Sequence, residues 1–103
     1  MNAVDNTTDD GEILLKAAEK ALGLMGLMTG EQRYQAHDYT QPQLINIVEV
    51  WKRLSSSVSN DPELVAHWVN TSNKGLGATP AVLLRTQQGS ARVLAYLNHI
   101  TDK

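Results

Sequence analysis

A chain of 103 residues, 42% of them hydrophobic, has room for one domain with a modest core. It contains no cysteine, which excludes disulfides, a thiol nucleophile and zinc sites of the cysteine type. A net charge of −2 offers no electrostatic footprint for nucleic acid, and no apolar run reaches the length of a membrane span. The opening Met1-Asn2-Ala3-Val4-Asp5 lacks a basic signal region, so the expected compartment is the cytoplasm.

Residues 1–11 are polar and acidic, and their composition predicts disorder. A first helix is predicted over 11–24. Ile13, Leu14, Ala17, Ala18, Ala21 and Leu22 recur there at helical spacing, and Glu12, Lys16, Glu19 and Lys20 face away. Gly23 and Gly26 weaken its end, and Leu24, Met25, Leu27 and Met28 form an apolar knuckle destined for the core. Thr29-Gly30-Glu31-Gln32 has capping-box spacing, which predicts a short helix over 30–37. Thr40-Gln41-Pro42-Gln43 repeats the cap and opens a long helix. Its stripe is Leu44, Ile47, Val48, Trp51, Leu54 and Val58, with Asn46, Glu49, Lys52 and Arg53 on the wet face. Asn60-Asp61-Pro62-Glu63 reads as another start, with Asn60 as cap and Leu64, Val65, Trp68 and Val69 turned inward.

The segment from His67 to Gly89 is the best-defined part of the chain. It reads as the end of a helix, a glycine turn at Gly75 and Gly77, and a new helix of about two turns opened by Thr79-Pro80. Trp68 is placed to cover this elbow with Leu76 beneath it. Thr86 is expected to cap a last helix with Ala91, Val93, Leu94, Leu97 and Ile100 inward. No alternating strand pattern appears, so the fold class is all-α, a small bundle of five to six helices.

The ordered run Trp68, Thr71, Asn73, Leu76-Gly77, Thr79-Pro80, Leu83-Leu84, Thr86, Gly89, Val93 and Leu97 resembles the toxin-binding domain of the Xre/MbcA/ParS antitoxins. The resemblance extends over roughly residues 42 to 100. Ser72 stands where that family usually has proline, and the turn from Leu76 to Pro80 is a residue short. The resemblance implies a toxin-binding-type domain over 41–103, preceded by a shortened helical region over 12–40 in place of the family's usual helix-turn-helix. It also implies a cognate toxin as partner, commonly a RES-fold protein acting on NAD, whose active site the antitoxin covers.

Enzymatic readings find little support. His37, His67 and His99 are scattered, and Glu63 with His67, one helical turn apart, is more often a surface contact than an acid–base pair. Ser55-Ser56-Ser57 lacks a nucleophile elbow, and Gly75-Leu76-Gly77 lacks the lysine of a phosphate loop. No catalytic, metal or cofactor site is expected. DNA binding would need a basic reading helix, yet between Lys20 and Lys52 the only lysine or arginine is Arg33. Partner binding is the class that remains. Asn70, Ser72, Asn73 and Lys74 lie on the turn, and Arg85, Arg92, Tyr96 and His99 lie on the last two helices. Turns carry binding residues, and arginine and tyrosine anchor interfaces. Trp68, Leu76, Gly77, Thr79, Pro80, Leu83, Leu84 and Gly89 are assigned to the scaffold. The expected function is an antitoxin that neutralises a toxin by contact. An operon-regulating DNA-binding protein and a self-associating helical scaffold are the alternatives.

Overall fold

Helix α2 (Gln41–Ser57) is the axis of the fold and packs against both α1 (Ala3–Leu24) and α5 (Gln87–Thr101). The computed structural model describes residues 3–28 and 34–101, with side chains over 11–28 and 34–100. Two short helices, α3 (Pro62–Val69) and α4 (Pro80–Leu83), join α2 to α5, and a single 3₁₀ turn covers Ala36–Asp38. Among the described residues there is no strand, only an isolated antiparallel bridge between Asn73 and Ala78. The fold is all-α.

The start of α2 follows its sequence. Thr40 has extended backbone and its Oγ1 accepts from the Gln43 amide at 3.3 Å, while Pro42 occupies the first turn, where its missing N–H costs nothing. The buried face holds Gln43, Leu44, Ile47, Val50, Leu54 and Ser55, which is wider than the predicted stripe. Val48, Trp51 and Val58 are half-buried instead. The reason is that α2 has partners on two sides, so positions flanking the stripe are covered as well. Full burial of a side chain such as Ile47 stabilises by about 1.5–3 kcal/mol. The helix ends at Val58, and Ser59 and Asn60 take left-handed backbone (φ 56° and 63°). Asn60 is therefore not the cap of α3. Asp61 is, accepting from the Glu63 amide at 3.0 Å.

Helix α1 begins eight residues before the expected start and takes in positions 3–10, where composition predicted disorder. A helix anchored downstream propagates at one hydrogen bond per residue, without needing an apolar stripe of its own. Its end is a Schellman motif. Gly26 has φ +78°, the Leu27 amide donates to the Leu22 carbonyl at 2.8 Å, and the Gly26 amide donates to Gly23 at 3.1 Å. The capping box expected at Thr29–Gln32 lies outside the described residues, and of the predicted 30–37 helix the described part is irregular at Tyr34 and Gln35 before the 3₁₀ turn.

Tyr34 ties this N-terminal part to the rest. It is 4% exposed, and its hydroxyl donates to the carbonyl of Ala81 in α4. Tyr34→Phe is expected to leave that carbonyl unsatisfied and cost about 1–3 kcal/mol in urea unfolding. Burial raises the Tyr34 hydroxyl above the ordinary tyrosine value of 10, an effect partly offset by the nearby Arg85 cation. A raised folded-state value means a contribution that is complete below pH 10 and lost as the pH climbs through the folded value. The fall in stability above pH 10 should accordingly be shallower in Tyr34→Phe than in the wild type.

Other expectations are corrected at the C-terminal side. Helix α4 is one turn, not two. Thr79 caps it without a side-chain bond, its carbonyl accepting from the Val82 and Leu83 amides at 2.9 and 3.3 Å. Thr86 does cap α5, its Oγ1 accepting from the Gly89 amide at 2.9 Å. The inward face of α5 holds Gly89, Ser90, Val93 and Leu97, while Ala91 and Ile100 are exposed. Leu64 is also exposed, because Val65 and Val69, one turn apart, define the buried face of α3.

Candidate partner-binding surface

The turn between α3 and α4 is a built loop rather than a loose connection. Asn73 Oδ1 accepts from the Leu76 amide at 3.1 Å, the Asn73 carbonyl accepts from Gly77 at 2.8 Å, and the Asn73 amide donates to Ala78 at 3.1 Å. Gly77 has φ +74°, a conformation that suits glycine. Gly75 is glycine for a different reason. A Cβ there would meet the Tyr96 ring at 2.7 Å, so the constraint is space and not backbone angle. Leu76 is 2% exposed and plugs the loop into the core.

Helix α5 clamps the loop from outside. Arg92 Nη2 donates to the Leu76 carbonyl at 2.5 Å, and the Tyr96 ring stacks on Trp68 with centroids 6.4 Å apart and planes at 27°. Asn70 closes the other end, its Nδ2 donating to the Ala66 carbonyl at 2.8 Å and to Met25 at 3.3 Å. Of the residues expected to meet a partner, Asn70, Asn73, Arg92 and Tyr96 thus hold the scaffold together. Lys74 and His99 are exposed. Arg85 is exposed at the residue level and its guanidinium carbon lies 4.2 Å from the centre of the Tyr34 ring. The scaffold residues Leu76, Pro80, Leu84 and Gly89 are buried, with Trp68, Thr79 and Leu83 half-buried and Gly77 at the exposed turn.

Three polar contacts across long sequence separations hold the start of α2 against the α4–α5 corner. Gln43 Nε2 donates to the Leu84 carbonyl at 2.9 Å, Asn46 Nδ2 to Ser90 Oγ at 3.1 Å, and Thr40 Oγ1 to Gln87 Oε1 at 2.8 Å. Asn46, assigned to the wet face from its position, is half-buried because of this contact. Sequence reasoning also missed Tyr34 and Val82. Tyr34 has no periodic neighbours to mark it as core, and Val82 is an apolar residue left 61% exposed on α4.

A hollow of about 310 Å³ opens beside α4, with Leu27, Tyr34, Asn70, Val82 and Arg85 among the residues that line it. Elsewhere, Glu63 and His67 are both exposed on α3, and the described residues hold no group of three or more His, Cys, Asp or Glu side chains placed to share a metal ion. No helix among the described residues is long and apolar enough to cross a membrane. The surface offers a rigid loop tip, an arginine on an aromatic ring and an apolar rim, which are recognition features. No curated protein matches the chain. Residues 56–103 match the family model of the antitoxin Xre/MbcA/ParS C-terminal toxin-binding domain.

Proposed function

We propose, from the match of residues 56–103 to the Xre/MbcA/ParS C-terminal toxin-binding domain, that this chain neutralises a cognate toxin by seating the 70–79 loop, α4 and α5 on it. The toxin of this reading is a RES-type protein acting on NAD, and the chain works by covering its active site. It supplies occlusion rather than chemistry. The observation that carries the reading is the clamped loop. Asn73, Leu76, Arg92 and the Trp68–Tyr96 stack fix its backbone, so Ser72 and Lys74 are presented with little ordering cost on binding.

In this arrangement Asn70, Asn73, Arg92 and Tyr96 set the shape of the surface, and Lys74, Arg85 and His99 meet the partner. A DNA-binding role has less support. The described residues between α1 and α2 include no helix longer than the 3₁₀ turn.

The test is co-expression of the tagged chain with the protein encoded by the adjacent gene, following growth, NAD and recovery of a complex. Growth arrest and NAD loss from the neighbour alone, both reversed in a stable complex, are the expected results. A neighbour that neither binds nor is rescued would overturn the reading. A salt-sensitive nanomolar gel shift on the chain's own promoter would then favour the regulator. Within the complex, Lys74→Glu should slow association by roughly tenfold at low salt and much less at high salt, as a charge at the rim does. Stopped-flow rates at two ionic strengths measure this, and the melting temperature should be unmoved because Lys74 is exposed.

A further inference from the structure

Two of the large apolar side chains left exposed in the family-matched part are Leu64, at 50%, and Ile100, at 43%. They belong to one seam. Leu64 lies one turn before Trp68 on the same face of α3, and Ile100 lies one turn after Tyr96 on the same face of α5. The half-buried Trp68 and Tyr96 rings stack on each other between them. Helix directions bring the outer pair to the same end of the bundle. Helices α2 and α5 run in the same sense, since Thr40 pairs with Gln87 and Asn46 with Ser90. Helix α3 starts where α2 ends, and the chain then returns to the start of α2, where Gln43 holds Leu84. Helix α3 therefore runs against α5, and Leu64 and Ile100 both lie toward the C-terminal end of α2.

The core does not account for this seam. Val65 and Val69 seat α3, and Val93 and Leu97 seat α5, with Leu64 and Ile100 left on the outside. Apolar residues exposed singly are ordinary surface, whereas a continuous row rimmed by polar groups marks an interaction site. Two observations say what covers the row. All four of its residues fall within 56–103, the part that matches a toxin-binding domain. The row also continues into the 70–79 loop, because Gly75 lies against the Tyr96 ring and Arg92, one turn before Tyr96, holds the Leu76 carbonyl. Charge is unequal along it. Lys74 and Arg92 lie at the loop end, and Glu63 adjoins Leu64 at the other. An apolar partner surface with an acidic residue at the loop end is complementary to that order.

We propose that the toxin lays an apolar segment along Leu64, Trp68, Tyr96 and Ile100, with a carboxylate of the toxin beside Lys74. This rests on the antitoxin reading and extends its footprint to α3.

The test measures, by calorimetry, the affinity of the full chain for the protein encoded by the adjacent gene. The variants are Leu64→Glu, Ile100→Glu, their combination, and Ile45→Glu as control. Ile45 is an exposed isoleucine of α2 outside the matched residues. Each seam substitution should weaken binding by about tenfold, and the pair by about 100-fold, with Ile45→Glu binding as the wild type does. These positions are exposed and glutamate is a good helix former, so the melting temperatures should hold. Leu64→Gln and Ile100→Gln, which remove the apolar group without adding charge, decide the matter where a glutamate variant melts early. Lys74→Glu should weaken binding more than Lys74→Gln, and equal effects would overturn the facing carboxylate. Wild-type affinity in the folded double variant would overturn the seam and leave the antitoxin reading in place. A double variant that changes only self-association in sedimentation would do the same, since a second copy would then occupy the seam. A wild-type chain that fails to bind the neighbour overturns both.

Discussion

Gly89→Ala is expected to lower the stability of this chain by about 3 kcal/mol, against the helix-propensity gain of up to about 1 kcal/mol that alanine brings to a helix interior. Gly89 lies in the first turn of α5, is buried, and has no room for a methyl group. A Cβ there would overlap the carbonyl of Leu83 and approach Thr86 Oγ1 at 2.8 Å. The Leu83 carbonyl is backbone at the α4–α5 corner, which the Gln43 bond to the Leu84 carbonyl pins from the other side. It cannot swing aside as a side chain would, so the corner must open and the packing of Leu84 and Ser90 must loosen with it. At roughly 4–8 °C per kcal/mol for a domain of this size, the melting temperature should fall by about 12–24 °C. Gly11→Ala is the matched control. Gly11 sits within α1 with nothing inside 4 Å of an added Cβ, so the same substitution should stabilise by about 0.5–1 kcal/mol. Opposite signs in the two melts would establish that close approach, not helix propensity, selects glycine at position 89. Equal signs would refute it.

The contrast between those glycines bears on what the chain discloses before folding. Local sequence pattern located α2, Val65 and Val69 on α3, Val93 and Leu97 on α5, and the caps at Thr40 and Thr86, because each rests on neighbours within a turn or two, whereas Leu64, Ala91 and Ile100, expected inward, are exposed. It placed Gly75 correctly in a turn but for the wrong reason, since the Tyr96 ring that demands a glycine there is 21 positions away in sequence. Asn46 and Gln43 were read as surface and first-turn residues, yet both become half-buried or buried through contacts to Ser90 and Leu84. Such polar cross-links leave no periodic trace, because their partners are chosen by tertiary geometry alone. The ordered motif from Trp68 to Leu97 was legible as a family resemblance, and most of its residues prove to be loop-building or buried. The motif therefore reports the scaffold that shapes the surface more than the surface itself. That is why Asn73, Arg92 and Tyr96, picked as contact residues for their chemistry, are found holding the loop, and why Val82 and Tyr34, outside every pattern, line the hollow.

Leu76→Ala is expected to have the larger functional consequence. Leu76 is 2% exposed at the centre of the 70–79 loop and is the side chain through which the loop is anchored in the core. Truncating a buried leucine costs about 2–5 kcal/mol through lost burial and the residual cavity. The upper half of that range applies if the surroundings cannot collapse, and here several features resist collapse. The loop backbone is held by Asn73 on one side and Arg92 on the other, and Gly75 is already in contact with Tyr96. Arg92→Leu removes the bond to the Leu76 carbonyl but spares the leucine itself, and a lost hydrogen bond of this kind costs about 1–3 kcal/mol. Burial thus outweighs the clamp as the source of loop stability. Because both act on one element, the double variant should lose less than the sum of the singles, by about 0.5–3 kcal/mol of coupling. Urea midpoints of the four proteins measure this. Toxin affinity should fall in the order wild type, Arg92→Leu, Leu76→Ala, since a loop released from its seat must be reordered at the interface. If Leu76→Ala were destabilised as expected yet bound the toxin as tightly as the wild type, the 70–79 loop would be scaffold alone. The contact would then lie with α4, with Arg85 at the α4–α5 corner and with His99 on α5.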